Sequence, residues 1–535
     1  MSSDTQGVQA EAEAAVPAET VSSAETAGRM THREVIQALS GLMMGMFVTI
    51  LASTVVSNAL PRIIADLGGS QSVYTWIVTT ELLAMTATVP LWGKMADLYS
   101  KKLLIQLSLG LFVAGSLIAG FAPNVELLIV SRVVQGVGAG GMTALATIVM
   151  AAMIPPRELG RYSGMFGAVF GVATIAGPLI GGLLVDTSWL GWRWCFFIGV
   201  PFSVAAILLL QRTLNLPTVR RKLSIDWLGA FLITAGVSTL LIWSTLAGDK
   251  YDWVSGTSAI FVAAGVVLLA LAVWAESKAT EPIIPLSIFR NRTVSLTVIA
   301  SVLVGVAMFG GTVFLSQYFQ VSLGKSPTVA GLMSLPMIFG LLVSSTVAGQ
   351  LITKYGRWKR YLVAGAIVMT AGMLLLSTID EHTSVLMLSI WMFVLGAGVG
   401  MLMQNLVLAA QNDVPANELG AATSTLTFFR SMGGAIGVSA LGAVLAGKVT
   451  SLFAEKFPQA ATGGTAAVPD LTTLPEQARA IVANIYAQAT SELFLVAAPI
   501  AALAFVAVVF VKEKPLHTMS GDERRAQEEA GLPLH

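Results

Sequence analysis

The feature that most constrains this chain is a succession of apolar stretches, each 18 to 26 residues long, separated by short polar links from about residue 35 onward. A helix rises 1.5 Å per residue, so about 20 apolar residues cross the roughly 30 Å hydrocarbon core of a bilayer. Lipid offers no hydrogen bonds, and long apolar runs without two-residue alternation satisfy their backbone as helices. Fourteen stretches fit: 35–58, 75–92, 103–121, 125–150, 162–185, 194–211, 227–247, 257–275, 294–317, 328–352, 360–379, 385–409, 421–446 and 490–511. The expectation is an all-α integral membrane protein with fourteen transmembrane helices.

Composition agrees and excludes other classes. Only 11% of the 535 residues are charged, against about 25% in a soluble protein, and the mean hydropathy is +0.77. A single cysteine, Cys195, excludes an internal disulfide. The four histidines (His32, His382, His517 and His535) lie outside the long apolar runs, so a metal site or a Ser-His-Asp centre has almost nothing to be built from. No catalytic residue, metal or cofactor is expected, and a net charge of +1 gives no general attraction for nucleic acid. The membrane-embedded enzyme is thereby the weakest of the competing readings.

Residues 1–33 are rich in Ala, Glu, Ser and Thr and lack a basic start or an apolar core, so they read as a disordered tail rather than a signal peptide. Placing this tail in the cytoplasm puts 22 of the 31 basic residues on the cytoplasmic side. Seven fall outside (Arg62, Arg193, Lys250, Lys325, Lys448, Lys456 and Arg479), and Arg132 and Arg430 fall within helices. The positive-inside rule then sets an even helix count and both termini in the cytoplasm. Tryptophans such as Trp76, Trp92, Trp192, Trp194, Trp227, Trp253 and Trp358 fall at predicted helix ends, where amphipathic rings prefer the interface.

The chain repeats loosely. The polar link from Gly93 to Lys102 follows the second span and that from Gly349 to Arg357 follows the tenth, an offset of 256 residues. Two related halves with an inserted helix pair account for the spacing: a bundle over 34–213, the inserted pair with its linkers over 214–293, and a second bundle over 294–511 with an external loop at 447–489. Residues 512–535 form a cytoplasmic tail. Halves of this kind place a substrate path between them near the midplane, which favours a transporter over a sensor.

Four motifs carry a resemblance. The first is Gly93-x-Met-Ala-Asp97-x-x-x-Lys101-Lys102 in a cytoplasmic link, where the lysines satisfy topology but the acid does not follow from it. The second is Arg132-x-x-Gln135-Gly136-x-Gly138-x-Gly140, which sets a charge, an amide and close-packing glycines on one helix face. The third runs through Gly167, Gly171, Gly177, Pro178, Gly181 and Gly182 in the fifth span, where Pro178 removes a backbone hydrogen bond and the glycines admit a neighbour. The fourth is the first-span segment from Leu51 to Pro61, containing Thr54 and Asn58.

Together they resemble the major facilitator superfamily, within it the fourteen-helix drug:proton antiporter branch, over about residues 35–512. The resemblance implies two six-helix bundles plus the inserted pair in a plasma membrane. It also implies a cytoplasmic gate at Gly93, Asp97, Lys101 and Lys102, and an antiporter hinge at the glycine and proline positions of the fifth span. The implied activity is proton-driven export of hydrophobic or amphiphilic drugs, with the proton gradient as energy source, protons, the bilayer and small molecules as partners, and a monomeric protein. Many members carry an acid where this chain has Ala52, and the first span has no acid from Val35 through Asn58.

The membrane acid lies elsewhere. Glu81 and Arg132 each stand about seven residues inside their spans from the outer side, at similar depth. Burial favours a protonated carboxyl and a nearby guanidinium favours an ionised one, so movement of Arg132 relative to Glu81 would load and release a proton. A static ion pair and a Glu81 hydrated near the outer interface fit the same spacing. Candidates for a substrate cavity are Thr54, Asn58, Gln135, Gln317, Tyr318, Gln404, Asn405 and Arg430, with Arg430 expected to snorkel to the cytoplasmic face. Competing functions are export of a lipid or natural product, and proton-coupled uptake, which expects an acid-rich first span.

Overall fold

The computed structural model describes residues 32–67, 71–187, 190–214, 226–247, 251–456 and 476–529. Among them the chain is helical, with one isolated β-bridge between Ala247 and Tyr251. Every apolar stretch lies on a helix: α1 His32–Leu67, α2 Gln71–Leu98, α3 Lys101–Gly120, α4 Val125–Met153, α5 Pro156–Asp186, α6 Gly199–Thr213 and α7 Trp227–Leu246. There follow α8 Gly256–Lys278, α9 Arg292–Val321, α10 Leu335–Tyr355, α11 Lys359–Leu376, α12 Val385–Gln411, α13 Leu419–Lys456 and α14 Glu476–Val509. Short helices Trp194–Phe197 and Pro327–Met333 lead into α6 and α10, and α15 Gly521–Glu529 lies beyond the apolar stretches. Twelve helices among the described residues are long and apolar enough to cross a membrane. The other two, α2 and α5, have 28 and 31 residues.

Local chemistry sets the helix starts. Asn124, Ser255, Asn291, Ser326 and Ser384 each accept an N–H of the first turn of the following helix, so the donors that a helix leaves unpaired are satisfied where the polar links end. Several helices continue past their apolar stretch. α1 extends to Leu67 and α13 to Lys456, while α14 starts at Glu476, so helices take up both ends of the segment expected as the loop 447–489.

α4 packs on α2 and α3, while α1 packs on α5 and α6. In the second set α9 packs on α13 and α14, and α12 on α10 and α11. The sets meet where α2 lies on α13 and α5 on α10. α7 and α8 pack on each other, and α7 reaches α2 and α13. Trp92, Trp192 and Trp358 correct the interfacial reading of the tryptophans. They are buried, because their indole N–H groups donate to acceptors inside the fold: Val137 O, Asp66 Oδ2 and Lys514 O, each at 2.9 Å.

Candidate functional site

α2 and α4 run side by side through the first bundle and bring Glu81 and Arg132 together. Arg132 Nη2 pairs with Glu81 Oε2, and both residues are buried, at 1% and 4% exposure. The rest of the guanidinium fork is used as well. Nε donates to Ile77 O at 3.2 Å and Nη1 to Gln135 Oε1 at 3.0 Å, and Gln135 Nε2 donates to Ser116 Oγ at 2.8 Å. Ser53 of α1 donates to Glu81 Oε2 at 3.1 Å. Four helices, α1 to α4, therefore converge on one charge pair. Gly136 permits it: a side-chain carbon there would stand 2.4 Å from Glu81 O, so any larger residue would push α4 off α2.

Sequence reasoning found Glu81, Arg132 and Gln135 but missed Ser53 and Ser116. Both are small hydroxyls of a kind scattered throughout the chain, and only the helix packing distinguishes them.

The other candidates are distributed over the bundle. The Thr54 hydroxyl donates to Ala173 O of α5 at 3.3 Å, and its Oγ1 stands 2.1 Å from where a side chain on Gly177 would begin. At Gly171 such a carbon would meet Ile338 of α10 at 2.4 Å, across the seam between the sets. Gly181 is buried in α5. The side chains of Asn58 and Pro178 and the surroundings of Gly167 and Gly182 lie outside the described residues, although all four positions are helical.

In the second set Gln317 and Gln404 are half-buried, while Asn405 is buried and donates to Met401 O of its own helix at 2.7 Å. Tyr318 is fully buried, and its hydroxyl donates to Asp380 O at 2.6 Å, tying α9 to the link that follows α11. Arg430 does not snorkel. It is 8% exposed and donates to Met403 O of α12 at 3.4 Å, because α9 and α12 enclose its part of α13.

The Gly93–Lys102 motif lies where α2 meets α13, at what we call the gate end. Asp97 Oδ1 accepts the N–H of Gly420 and Oδ2 that of Ala421, each at 3.0 Å, so a carboxylate sits on the amino terminus of α13. Side-chain carbons at Gly93 and Gly420 would meet Ser424 Oγ at 2.0 Å and Asp97 Oδ1 at 2.5 Å, so both glycines are needed for this approach. Asp97 lies beyond the apolar stretch 75–92. Burial pushes its carboxyl up to about 6, against the opposing pull of Arg525, the two backbone N–H groups and Lys101.

Lys101 pairs with Asp522 at 3.1 Å, and Lys102 donates to Gln211 O at 2.6 Å. Asp522 and Arg525 belong to α15, whose buried Arg524 donates to Val414 O at 2.6 Å and Gln411 O at 3.3 Å. α15 thus contacts both sets at the closed gate. The sequence carries its signal in Ser520 and Glu523, a capping box in which Ser520 Oγ accepts the Glu523 N–H at 3.3 Å and Glu523 Oε2 accepts the Ser520 N–H at 2.6 Å.

A cavity of about 580 Å³ opens along the seam between α5, α10 and α12. Its lining is apolar apart from Ser389 and includes Val172, Phe339 and Ile390, all of which are exposed.

Comparison with known proteins fits this architecture. The family model described as Major Facilitator Superfamily matches residues 42–438. The multidrug transporter protein MdtP of Bacillus subtilis is 34% identical over 458 residues, covering 86% of this chain and 82% of that protein. Multidrug resistance protein 3 of the same organism is 32% identical over 424 residues, covering 79% and 81%. An uncharacterised MFS-type transporter of Mycobacterium tuberculosis is 35% identical over 500 residues, covering 92% and 72%. Among solved structures, the proton:xylose symporter XylE aligns with a TM-score of 0.58 at 15% identity, over 93% of this chain and 99% of that one, a likeness of fold alone. With its helices, its buried charge pair and these relatives, the chain is a multi-pass membrane transporter, not an enzyme, and belongs to the major facilitator superfamily.

Proposed function

We propose that this protein exports hydrophobic or amphiphilic compounds across the plasma membrane in exchange for protons, by alternating access between bundles 34–213 and 294–511. In this reading fourteen crossings leave both termini on one side, and the basic residues near the gate end support the cytoplasm as that side. The observation that carries the reading is the buried Glu81–Arg132 pair. In this reading Glu81 exchanges its partner Arg132 for a proton as the two bundles rearrange. Ser53 links Glu81 to α1, so rearrangement of α1 against α2 changes the setting of the acid. Its absence from the first span argues against an importer that needs an acid there.

The substrate class rests on two supports. Relatives are named as multidrug proteins, and the apolar seam cavity offers a hydrophobic compound a way in from the membrane. The apolar lining of that cavity also favours a second reading, export of a lipid or another endogenous hydrophobic product. A resistance panel in a pump-deficient host tests the first reading. Expression should raise tolerance to several cationic or neutral hydrophobic compounds, and an uncoupler should abolish the effect. Unchanged tolerance, together with a membrane depleted of one lipid on deletion of the gene, would favour the second.

A further inference from the structure

The inserted helix pair holds two carboxyl groups face to face at its gate end. Asp226 caps α7, with Oδ1 accepting the Gly229 N–H at 2.9 Å. Glu276, in the last turn of α8 and 5% exposed, uses Oε2 to accept the Ile284 N–H at 3.1 Å. The remaining oxygens, Asp226 Oδ2 and Glu276 Oε1, are buried with no hydrogen-bond partner among the described residues. Each lies 2.4 Å from the point where a side-chain carbon on Gly229 would stand, so at most twice that distance, 4.8 Å, separates them.

The charged groups around them are already engaged or of the same sign. Lys94 of α2 is paired with Glu281 of the following linker at 2.6 Å, and Glu418 stands in the turn before α13. Two carboxylates whose facing oxygens are buried this close together repel each other. One shared proton turns that repulsion into an O–H to O hydrogen bond and satisfies both orphaned oxygens. We propose that Asp226 and Glu276 are a proton-binding carboxyl pair, distinct from Glu81.

The pair is wired to the gate. Glu276 holds Ile284, three residues beyond Glu281, and Glu281 holds Lys94, the neighbour of Gly93 that packs on Ser424. The shared proton keeps the ends of α7 and α8 together and keeps the linker in place to present Glu281 to Lys94. Loss of the proton loosens both contacts. This inference stands on the geometry of α7 and α8 and does not depend on the direction of transport.

Infrared difference spectra of the full-length protein in lipid vesicles, taken across a pH step in ordinary and heavy water, test it. A protonated-carboxyl carbonyl band that shifts on deuteration is expected, lost in both Glu276→Gln and Asp226→Asn and kept in Glu81→Gln. The melting temperature of the wild type should fall as pH rises through the range where that band disappears. Glu276→Gln, whose amide donates to Asp226 Oδ2 at any pH, should lose the part of this fall that Asp97→Asn retains. A band unchanged in both variants, or an ionised pair whose melting temperature instead depends on sodium or potassium, would overturn the proposal. Asp226→Asn retains the Oδ1 cap, so it reports on the pair even if Glu276→Gln fails to fold.

Discussion

At Glu81 a single carboxyl faces a single guanidinium inside four helices, and the two partners contribute differently to fold and to transport. Removing Arg132 leaves Glu81 buried and uncompensated, which costs about 3–5 kcal/mol for a buried pair. Arg132→Gln should therefore melt well below the wild type, and Glu81→Gln combined with Arg132→Gln should recover much of the loss. Thermal melting followed by exposure of Cys195, the one buried thiol, reads this directly. Gly136→Ala should cost about 1–3 kcal/mol, as expected of overpacking between close helices.

Asp97 makes a pH-dependent contribution. Its carboxyl is raised from 3.8 to about 6 at the closed gate, so closure binds a proton more tightly than a solvated Asp97 does. Its stabilising contribution is full below 3.8 and is lost as pH rises through about 6. A spin-label distance between the gate ends of α2 and α13 should lengthen over that interval in the wild type and stay flat in Asp97→Asn.

The ion pair was legible in the sequence because depth along a helix is simple arithmetic. Tyr318 was not: its ring follows the polar Gln317 on a helix that is apolar all round, and only the link after α11 offers the hydroxyl its acceptor, Asp380 O.

Among the elements, α15 joins the two sets at the gate end. Nine residues place Asp522 on Lys101, Arg525 near Asp97 and Arg524 on the carbonyls of Gln411 and Val414. Arg524→Ala leaves those carbonyls with one donor fewer and should cost about 1–3 kcal/mol. Ending the chain at Met519 should lengthen the α2 to α13 spin-label distance at neutral pH, whereas an unchanged distance would make α15 a passive cap. The helix cores were readable because lipid demands long apolar runs. The helix ends were not, since α1, α13 and α14 continue beyond any membrane boundary on residues whose partners are other protein segments.

On the scale of the whole molecule, two helix sets meet along α2 with α13 and α5 with α10, closed at the gate end by Asp97 and flanked by an apolar cavity along the second seam. The internal offset of 256 residues pointed to two related sets. The seam cavity was not, because it is formed by residues far apart in sequence, each indistinguishable from ordinary lipid-facing side chains.

Proton exchange at Glu81 drives the cycle in this account, and purified protein in vesicles with a trapped pH indicator tests it most directly. Adding a hydrophobic cation that the wild type exports should release protons in step with uptake of the compound, and Glu81→Gln should bind the compound but release none. Equal proton release from Glu81→Gln would contradict the account.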